Sequence, residues 1–525
     1  MERLDCLFLH VPKLAGEGRP KGQPISINTL PIGLLGMADL LHRHGVKSQI
    51  VHLGVELLED SDFSTLGDIK EKKPRIVAIP LHWHHQSYDV MELVKRIKTA
   101  FPALYVLLGG FTASFFHEEI MRNFDGVDGI IRGEAERPIL GLVQGILEGK
   151  DDFFSIPNLT WRRKKHLLVN PLSYVANQDD LNGLSFTNLP LLKNYTTYIR
   201  CAGQPDAVKS LNMVKGPRHS ASTSPIFPLM VGRGCPAQCT WCSGNIPSQN
   251  TITGRTKVTF RGEEKVVQFL HEARSYGYQR FHVSFDPAPQ HPDYFLRLFK
   301  RIREEKLSIE CIFESFGLPT LDFVKAFKAT FPGPNSRIVL SPDVGSDRVR
   351  KIHKGHAFTN LALKESLDRM KEHGVLCDLF FTVGVPFETK EDVEETIRLQ
   401  REIRRGYRNV KDLRTYTLDM EPGSPWHVDP EAFGVETSLQ SFTDYYHFHA
   451  QESRALSSLG YWIPDYFPGV KGEKEFKERL EKIARRCLSF TPGGRPKGSA
   501  PSWGRKLCDL STLFRKARPA AGSKS

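Results

Sequence analysis

Residues 232–245 read GRGCPAQCTWCSGN, which sets Cys235, Cys239 and Cys242 within one short stretch of a 525-residue chain that has nine cysteines in all. Gly, Pro and polar neighbours make this a loop rather than a core strand, so three thiols can curl around one metal centre. Structural zinc takes four protein ligands, usually as two well-separated pairs. No second pair exists, because the other cysteines stand alone at positions 6, 201, 311, 377, 487 and 508. A distant histidine could complete a zinc site, but the sequence nominates none. A cubane cluster held by three cysteines instead leaves one iron open to a small molecule that binds through amino and carboxylate groups.

The loop heads a long alternation of elements. Helical stretches such as GEEKVVQFLHEARSYG, PDYFLRLFKRIREEK and NLALKESLDRMKEHG separate the short strands RFHVSFD, IECIFES, RIVLSPD and LCDLFFTVG. Repeated β-α units close a sheet into a barrel or partial barrel, with chemistry on the loops at the carboxyl ends of the strands. Upstream of the loop, CLFLHV, KSQIVHLG, RIVAIPL and LYVLLGG alternate with amphipathic stretches, the pattern of a parallel sheet covered by helices on both faces. The expected fold is therefore α/β throughout: a doubly wound domain over residues 1–150, a linker with local structure including a small hairpin over 151–224, and a partial (β/α)6 barrel over 225–430. A helical extension over 431–490 and a basic, disordered tail over 491–525 complete the expectation. Within the extension, Tyr445, Tyr446 and Phe448 are expected as packing residues.

Composition narrows the function classes. No apolar run approaches the roughly 20 residues of a membrane-spanning helix, and the start MERLDCLFLHVPK lacks a secretory cleavage site, so the expected location is the cytoplasm. Cysteines scattered this thinly do not make a disulfide framework. The formal charge of +12 is carried in part by the tail, so nucleic acid is not an expected partner.

At the cysteine loop the chain resembles the radical S-adenosylmethionine (SAM) superfamily, whose signature has this spacing with an aromatic just before the last cysteine, here Trp241. The resemblance implies that Cys235, Cys239 and Cys242 hold a 4Fe-4S cluster, that Trp241 belongs to the cofactor site, and that the open iron chelates S-adenosylmethionine. Electron transfer into the sulfonium then releases a 5'-deoxyadenosyl radical. FFTVGVPFET is similar to the family segment beside the adenine, which assigns Gly384, Pro386, Glu388 and Thr389 to it. LSPDVGSDRVRKIHKG is similar to the segment near the ribose and carboxylate, which assigns Ser341, Asp343 and Arg350; Asp343 suits a helix cap equally well. VSFDPAP stands where many relatives carry a Gly-Gly-Glu that receives the amino group, and Asp286 is the candidate substitute. Glu314, at the end of IECIFES, is a carboxylate expected to open onto the same cavity, either as a catalytic residue or in an ion pair.

The stretches LPIGLLGMADLLHRHG, SYDVMELVKRIK, LLGGFTAS and VDGIIRGEAE resemble the cobalamin-binding domain that often precedes such a barrel, over most of residues 1–145. This implies a corrinoid on the strand ends, its nucleotide tail directed toward Gly109 and Gly110. The Asp-x-His-x-x-Gly motif is absent, so binding without that axial histidine is expected. In an extended segment His82 and His84 would share one face and His85 the other, which argues against a three-histidine chelate. His82 and His84 are assigned to the corrin or its amides, with a structural role and cobalt ligation by one of them both left open. Glu134 and Glu136 are read as an acidic pair complementing a helix start.

Together these readings give a cobalamin-dependent radical SAM methyltransferase acting on an unactivated carbon of a small-molecule or peptide substrate. An electron-donor protein such as a flavodoxin or ferredoxin is implied, and no membrane contact is expected. The alternatives are a non-methylating enzyme with the same cofactors and, from another class, a metal-dependent nucleic-acid-binding protein.

Overall fold

The computed structural model describes residues 3–12, 30–60, 62–201, 225–283, 291–451, 459–467 and 470–487. Asp286 and the expected basic tail lie outside the described residues.

Five short strands lead the chain: β1 (Cys6–His10), β2 (Ser48–His52), β3 (Ile76–Pro80), β4 (Tyr105–Gly109) and β5 (Gly129–Ile131). They run parallel in the order β2-β1-β3-β4-β5. Cys6, Phe8, Ile50, Ile76 and Ala78 face one buried core, while Leu7, Leu9, Val51, Val77 and Ile79 face the other. Burial on both faces is why these strands read as continuous apolar runs. The strand order reverses between β1 and β3, and in open α/β sheets that switch point opens the ligand crevice beyond the carboxyl ends.

The hairpin expected inside the linker is β6 (Leu159–Arg163) and β7 (His166–Val169), and it pairs antiparallel onto β5. The N-terminal sheet is therefore mixed and seven-stranded, and continues well beyond residue 150. The hairpin is legible in its own stretch, but its antiparallel seat on β5 is not, because the partner strand lies before the helix Glu136–Leu147 in the chain.

The second sheet has six parallel strands: β8 (Ile226–Pro228), β11 (Arg280–Val283), β12 (Glu310–Ser315), β13 (Arg337–Asp343), β14 (Leu376–Thr382) and β15 (Val410–Tyr416). Their order is β15-β14-β13-β12-β11-β8, so the barrel is partial with β8 and β15 as its edges. A short antiparallel ribbon, β9 (Gly232–Arg233) with β10 (Thr259–Phe260), brackets the cysteine loop. On β12, Phe313 packs outward against Phe295 and Phe323 of the covering helices. The alternate face is polar: Arg280–Glu310 at 2.9 Å, His282–Glu314 at 3.1 Å and Arg337–Asp378 at 3.3 Å join neighbouring strands on the lumen side, and Arg414 pairs with Asp412 of its own strand at 2.6 Å.

The C-terminal extension contains the helices Phe442–Gln451 and Glu473–Arg486. The first seats itself on the N-terminal domain. Its Tyr446 Oη donates to Glu92 Oε1 at 2.7 Å, and the Glu119 carboxylate accepts from the N–H groups of Phe442 and Thr443 at 2.7 and 2.9 Å. Tyr445 is fully buried, with Phe448 and Tyr446 packed on the same core, as expected for packing residues.

A buried ion-pair network joins the N-terminal domain to the barrel. Glu134 accepts from Arg255 Nε and Nη2 at 2.5 and 2.9 Å and from the Ala176 N–H at 2.8 Å, and Arg233 reaches Glu134 and Glu136. The acidic pair read as a helix-start complement is thus a tether between domains.

Candidate active site between the barrel and the N-terminal sheet

The cysteine loop is held from three directions. Asn245 caps the helix Ile246–Thr253 through Ser248 N–H at 2.8 Å and donates its side-chain amide to Cys239 O at 3.0 Å. Gly234, at φ +97°, lies against the backbone of Lys257 and Val258, where a Cβ would sit 2.9 Å from Lys257 O. On the opposite side a buried relay fixes Thr240. Trp426 Nε1 donates to Thr240 Oγ1 at 3.0 Å, Thr240 Oγ1 and His353 Nδ1 are 2.7 Å apart, and His353 Nε2 meets Pro386 O at 2.7 Å. A carbonyl only accepts, so His353 carries its proton on Nε2, and Thr240 donates to Nδ1. Burial lowers the imidazole to about 4, which keeps it neutral at physiological pH.

All three thiols are partly buried. Two receive backbone donors: Gly355 N–H to Cys239 Sγ and Gly244 N–H to Cys242 Sγ, both at 3.2 Å. Burial pushes the Cys239 thiol up, against the opposing pull of Lys354 and the Gly355 N–H. Cys242 is raised well above its ordinary value by burial and then by Glu421 and the neighbouring thiols. Such thiols need compensating positive charge to ionise, which iron supplies. Among the described residues no three His, Cys, Asp or Glu side chains stand in an arrangement that holds a single metal ion. Three sulfurs on one curled loop, with N–H donors aimed at them, fit a cluster larger than one ion. Gly355 has no room for a side chain, since its Cβ would run into the backbone of Ala237 and Gln238. A Gly355→Ala chain is expected to keep its circular dichroism spectrum but to lose iron about 10–100-fold more readily to a chelator, measured by competition.

The predicted cofactor residues divide. Asp343 sits at φ +61° beyond a register shift in β13, and its buried carboxylate pairs with Lys354 Nζ at 2.8 Å, beside the cluster loop. Ser341 is partly buried on the same strand. Trp241 wedges between His353 and Trp426, with ring centroids 6.2 Å from each. Pro386 offers its carbonyl to His353. Arg350 departs from the expectation: its guanidinium bonds Pro342 O, Asp347, Phe358 O, Val344 O and Asn360, which uses every N–H it has and leaves none for a ligand. Glu388 departs too. It accepts from Gly384 N–H at 2.8 Å and Tyr466 Oη at 2.5 Å, and burial raises it to about 7, so it latches the C-terminal segment onto the strand-end loop. Gly384, at φ +84°, is required by that fit, because a Cβ there would meet Leu480 at 2.5 Å. Thr389 caps the helix Lys390–Gly406. Glu314 is held by His282 in the lumen, the ion-pair alternative.

In the N-terminal crevice His84 and His85 lie in a 3-10 turn (His84–Gln86) rather than an extended segment, so the alternation expected for them fails and their rings stack at 4.0 Å. His84 Nδ1 bonds His449 Nε2 at 3.0 Å. Gly110, at φ +99°, owes its lack of a side chain to the backbone of Leu81 and His82, which a Cβ would approach within 2.9 Å; Gly109 has ordinary clearance.

The residues that bring the two halves together were invisible in the sequence. Asp419 Oδ2 meets His85 Nε2 of the crevice turn at 3.1 Å, and Glu421 Oε2 accepts from Ser243 Oγ, next to Cys242, at 2.7 Å. Burial raises Glu421 above its ordinary value. One strand-end segment after β15 thus touches both the crevice and the cluster loop. Only the stretch LDMEPGSP, acidic and rich in turn residues at a strand end, hinted at it.

The Radical SAM superfamily model matches residues 229–399, and the B12 binding domain model matches residues 26–143. The chain belongs to the B12-binding radical SAM enzymes. Its cofactors are accordingly a 4Fe-4S cluster, S-adenosylmethionine and cobalamin. This radical SAM enzyme is 24% identical over 376 residues to an uncharacterised methyltransferase of Pyrococcus horikoshii, covering 71% of this chain and 73% of that protein. It is 30% identical to the hopanoid C-3 methylase of Methylococcus capsulatus, over 20% of each chain. In fold it is similar to the radical SAM methyltransferase TsrM from Kitasatospora setae with cobalamin and a [4Fe-4S] cluster bound (TM-score 0.67, 14% identity, 97% of this chain and 95% of that one). No helix among the described residues is long and apolar enough to cross a membrane.

Proposed function

We propose that the protein is a cobalamin-dependent radical SAM methyltransferase that places a methyl group on an unactivated carbon of a small-molecule or peptide substrate. The carrying observation is the segment after β15, whose Asp419 reaches the cobalamin crevice and whose Glu421 reaches the cluster loop. Both cofactor sites then open on one interior, so a substrate there is within reach of a radical and of a methyl donor at once. When bound, the cofactors supply the radical and the methyl group. The chain's own work is to hold the cluster loop through Thr240, His353 and Trp426, and to keep water out with the helix Phe442–Gln451. The relatives named for methyl transfer support this reading, including the TsrM form with tryptophan substrate and a SAM analog bound. The enzyme works in the cytoplasm and draws electrons from a flavodoxin- or ferredoxin-type donor.

A second reading is favoured by one relative, the anaerobic magnesium-protoporphyrin IX monomethyl ester cyclase of Rubrivivax gelatinosus, 21% identical over 61% of this chain. Products separate the two. Reconstituted anaerobically with iron, sulfide and cobalamin under strong reductant and given no other methyl acceptor, the methyltransferase is expected to release S-adenosylhomocysteine from S-adenosylmethionine in a burst limited by its cobalamin content, and none when cobalamin is left out. Release of 5'-deoxyadenosine and methionine alone would favour the non-methylating reading.

A further inference from the structure

The carboxyl ends of β1, β2 and β3 carry His10, His52 and, just beyond, His82. His10 and His52 are register partners across the sheet, with rings 4.4 Å apart. Strand alternation puts His10 and His52 on the face that holds Phe8 and Ile50, and His82, just past β3, is near enough to His10 to act on its charge, at the switch point where the ligand crevice opens.

The five imidazoles at these strand ends are not equivalent. His52 is fully buried, and its Nδ1 accepts from Gly54 N–H. His84 is buried against His449, and His85 is bonded to Asp419. His10 is nine-tenths buried, and its Nδ1 has no partner among the described residues, an unmet polar group at the back of the crevice. His82 alone of the five is an exposed residue with no hydrogen bond to its ring among the described residues.

His82 is also rigidly mounted. Its carbonyl accepts from Thr112 N–H and Oγ1 at 3.3 and 2.9 Å, and Gly110 presses on its backbone at a distance no side chain would allow. Its ring stands edge-on to Trp83 at 4.7 Å and to Phe111 at 6.1 Å. A neutral ring with a free lone pair is the form that binds metals.

Resting on the cobalamin reading above, we propose that His82 is the protein's nitrogen ligand to cobalt, in place of the missing Asp-x-His-x-x-Gly histidine. His10 stands behind it as a polar contact for the ligand. An unbonded imidazole on a held backbone costs little to bring into coordination, since no hydrogen bond to the ring must first be broken.

The full chain, reconstituted anaerobically with iron, sulfide and cobalamin and freed of excess by desalting, tests this by electron paramagnetic resonance of the cobalt(II) state. Nitrogen coordination splits each high-field cobalt line into a triplet. Protein grown on histidine carrying the heavy nitrogen isotope is expected to give doublets instead, and His82→Phe is expected to remove the splitting while cobalt content and circular dichroism persist. Unsplit lines in the unsubstituted protein, a triplet indifferent to histidine labelling, or splitting retained in His82→Phe each overturn the assignment. Loss of cobalt on desalting of the unsubstituted protein overturns the cobalamin reading itself, and the ligand with it.

Discussion

Cys239→Ala protein, reconstituted without oxygen, is expected to retain well under half of the roughly four irons that a cubane cluster contributes per chain, and to produce neither 5'-deoxyadenosine nor S-adenosylhomocysteine above background. The expectation is steep because Cys239 receives the Gly355 N–H at its sulfur and anchors the loop through its carbonyl to Asn245. Cys235 and Cys242 remain in place, but two thiols cannot hold the cluster where the third iron corner needs a ligand. Iron and labile-sulfide analysis with the visible absorption of the cluster measures the loss. A triple Cys235, Cys239 and Cys242 replacement that kept iron and turnover would remove the basis of the reading.

Glu134→Ala is expected to cost about 3–5 kcal/mol of stability, the usual cost of leaving a buried charge without its partner. Arg255 is only 3% exposed and would keep its bonds to Thr259, Lys257 O and Ala176 O while losing both carboxylate contacts. The guanidinium-chloride midpoint, followed by tryptophan fluorescence, reads the change, and a midpoint equal to that of the unsubstituted protein would show the tether to be idle. The same pair gives a pH signature. Burial works to raise Glu134, but the bonded Arg255 and the Arg233 charge outweigh it, so the carboxyl lies below its ordinary 4.5. A depressed carboxyl stabilises the folded state above its unfolded value, so this contribution is complete above about pH 5 and disappears as acid carries the pH down through the lowered value. Glu134→Ala should flatten stability against pH in that acid range.

The architecture was readable because each half obeys a periodic rule: short apolar runs alternating with amphipathic stretches can only be parallel strands with covering helices, and the cysteine spacing marks where the second series begins. What lay outside that rule was missed. The hairpin Leu159–Val169 joins the first sheet because Leu159–Trp161 pair antiparallel with β5, on the far side of the helix Glu136–Leu147 in sequence, which no local pattern reports. At the site, motif resemblance pointed to Asp343 and the strand-end loops, yet assigned Arg350 to a ligand when every N–H of its side chain is taken by neighbours in the fold. Asp419 and Glu421 show locally only as acidic residues in a turn-rich stretch, and the Thr240–His353–Trp426 relay carries no local signature, since its members lie far apart in the chain. The double glycine was singled out for a ligand, and its second member turned out to serve the backbone beneath His82.

The helix Phe442–Gln451 belongs to the end of the described chain but finds its seat near the beginning, with His449 on His84 and Tyr446 on Glu92. Anyone exchanging the corrinoid module between relatives would therefore need to transplant two non-contiguous pieces, the leading sheet and this trailing helix, as one graft. A chimera built by a single crossover before the cysteine loop would mate surfaces that never evolved together, and its seam would open where radical chemistry most needs to be sealed.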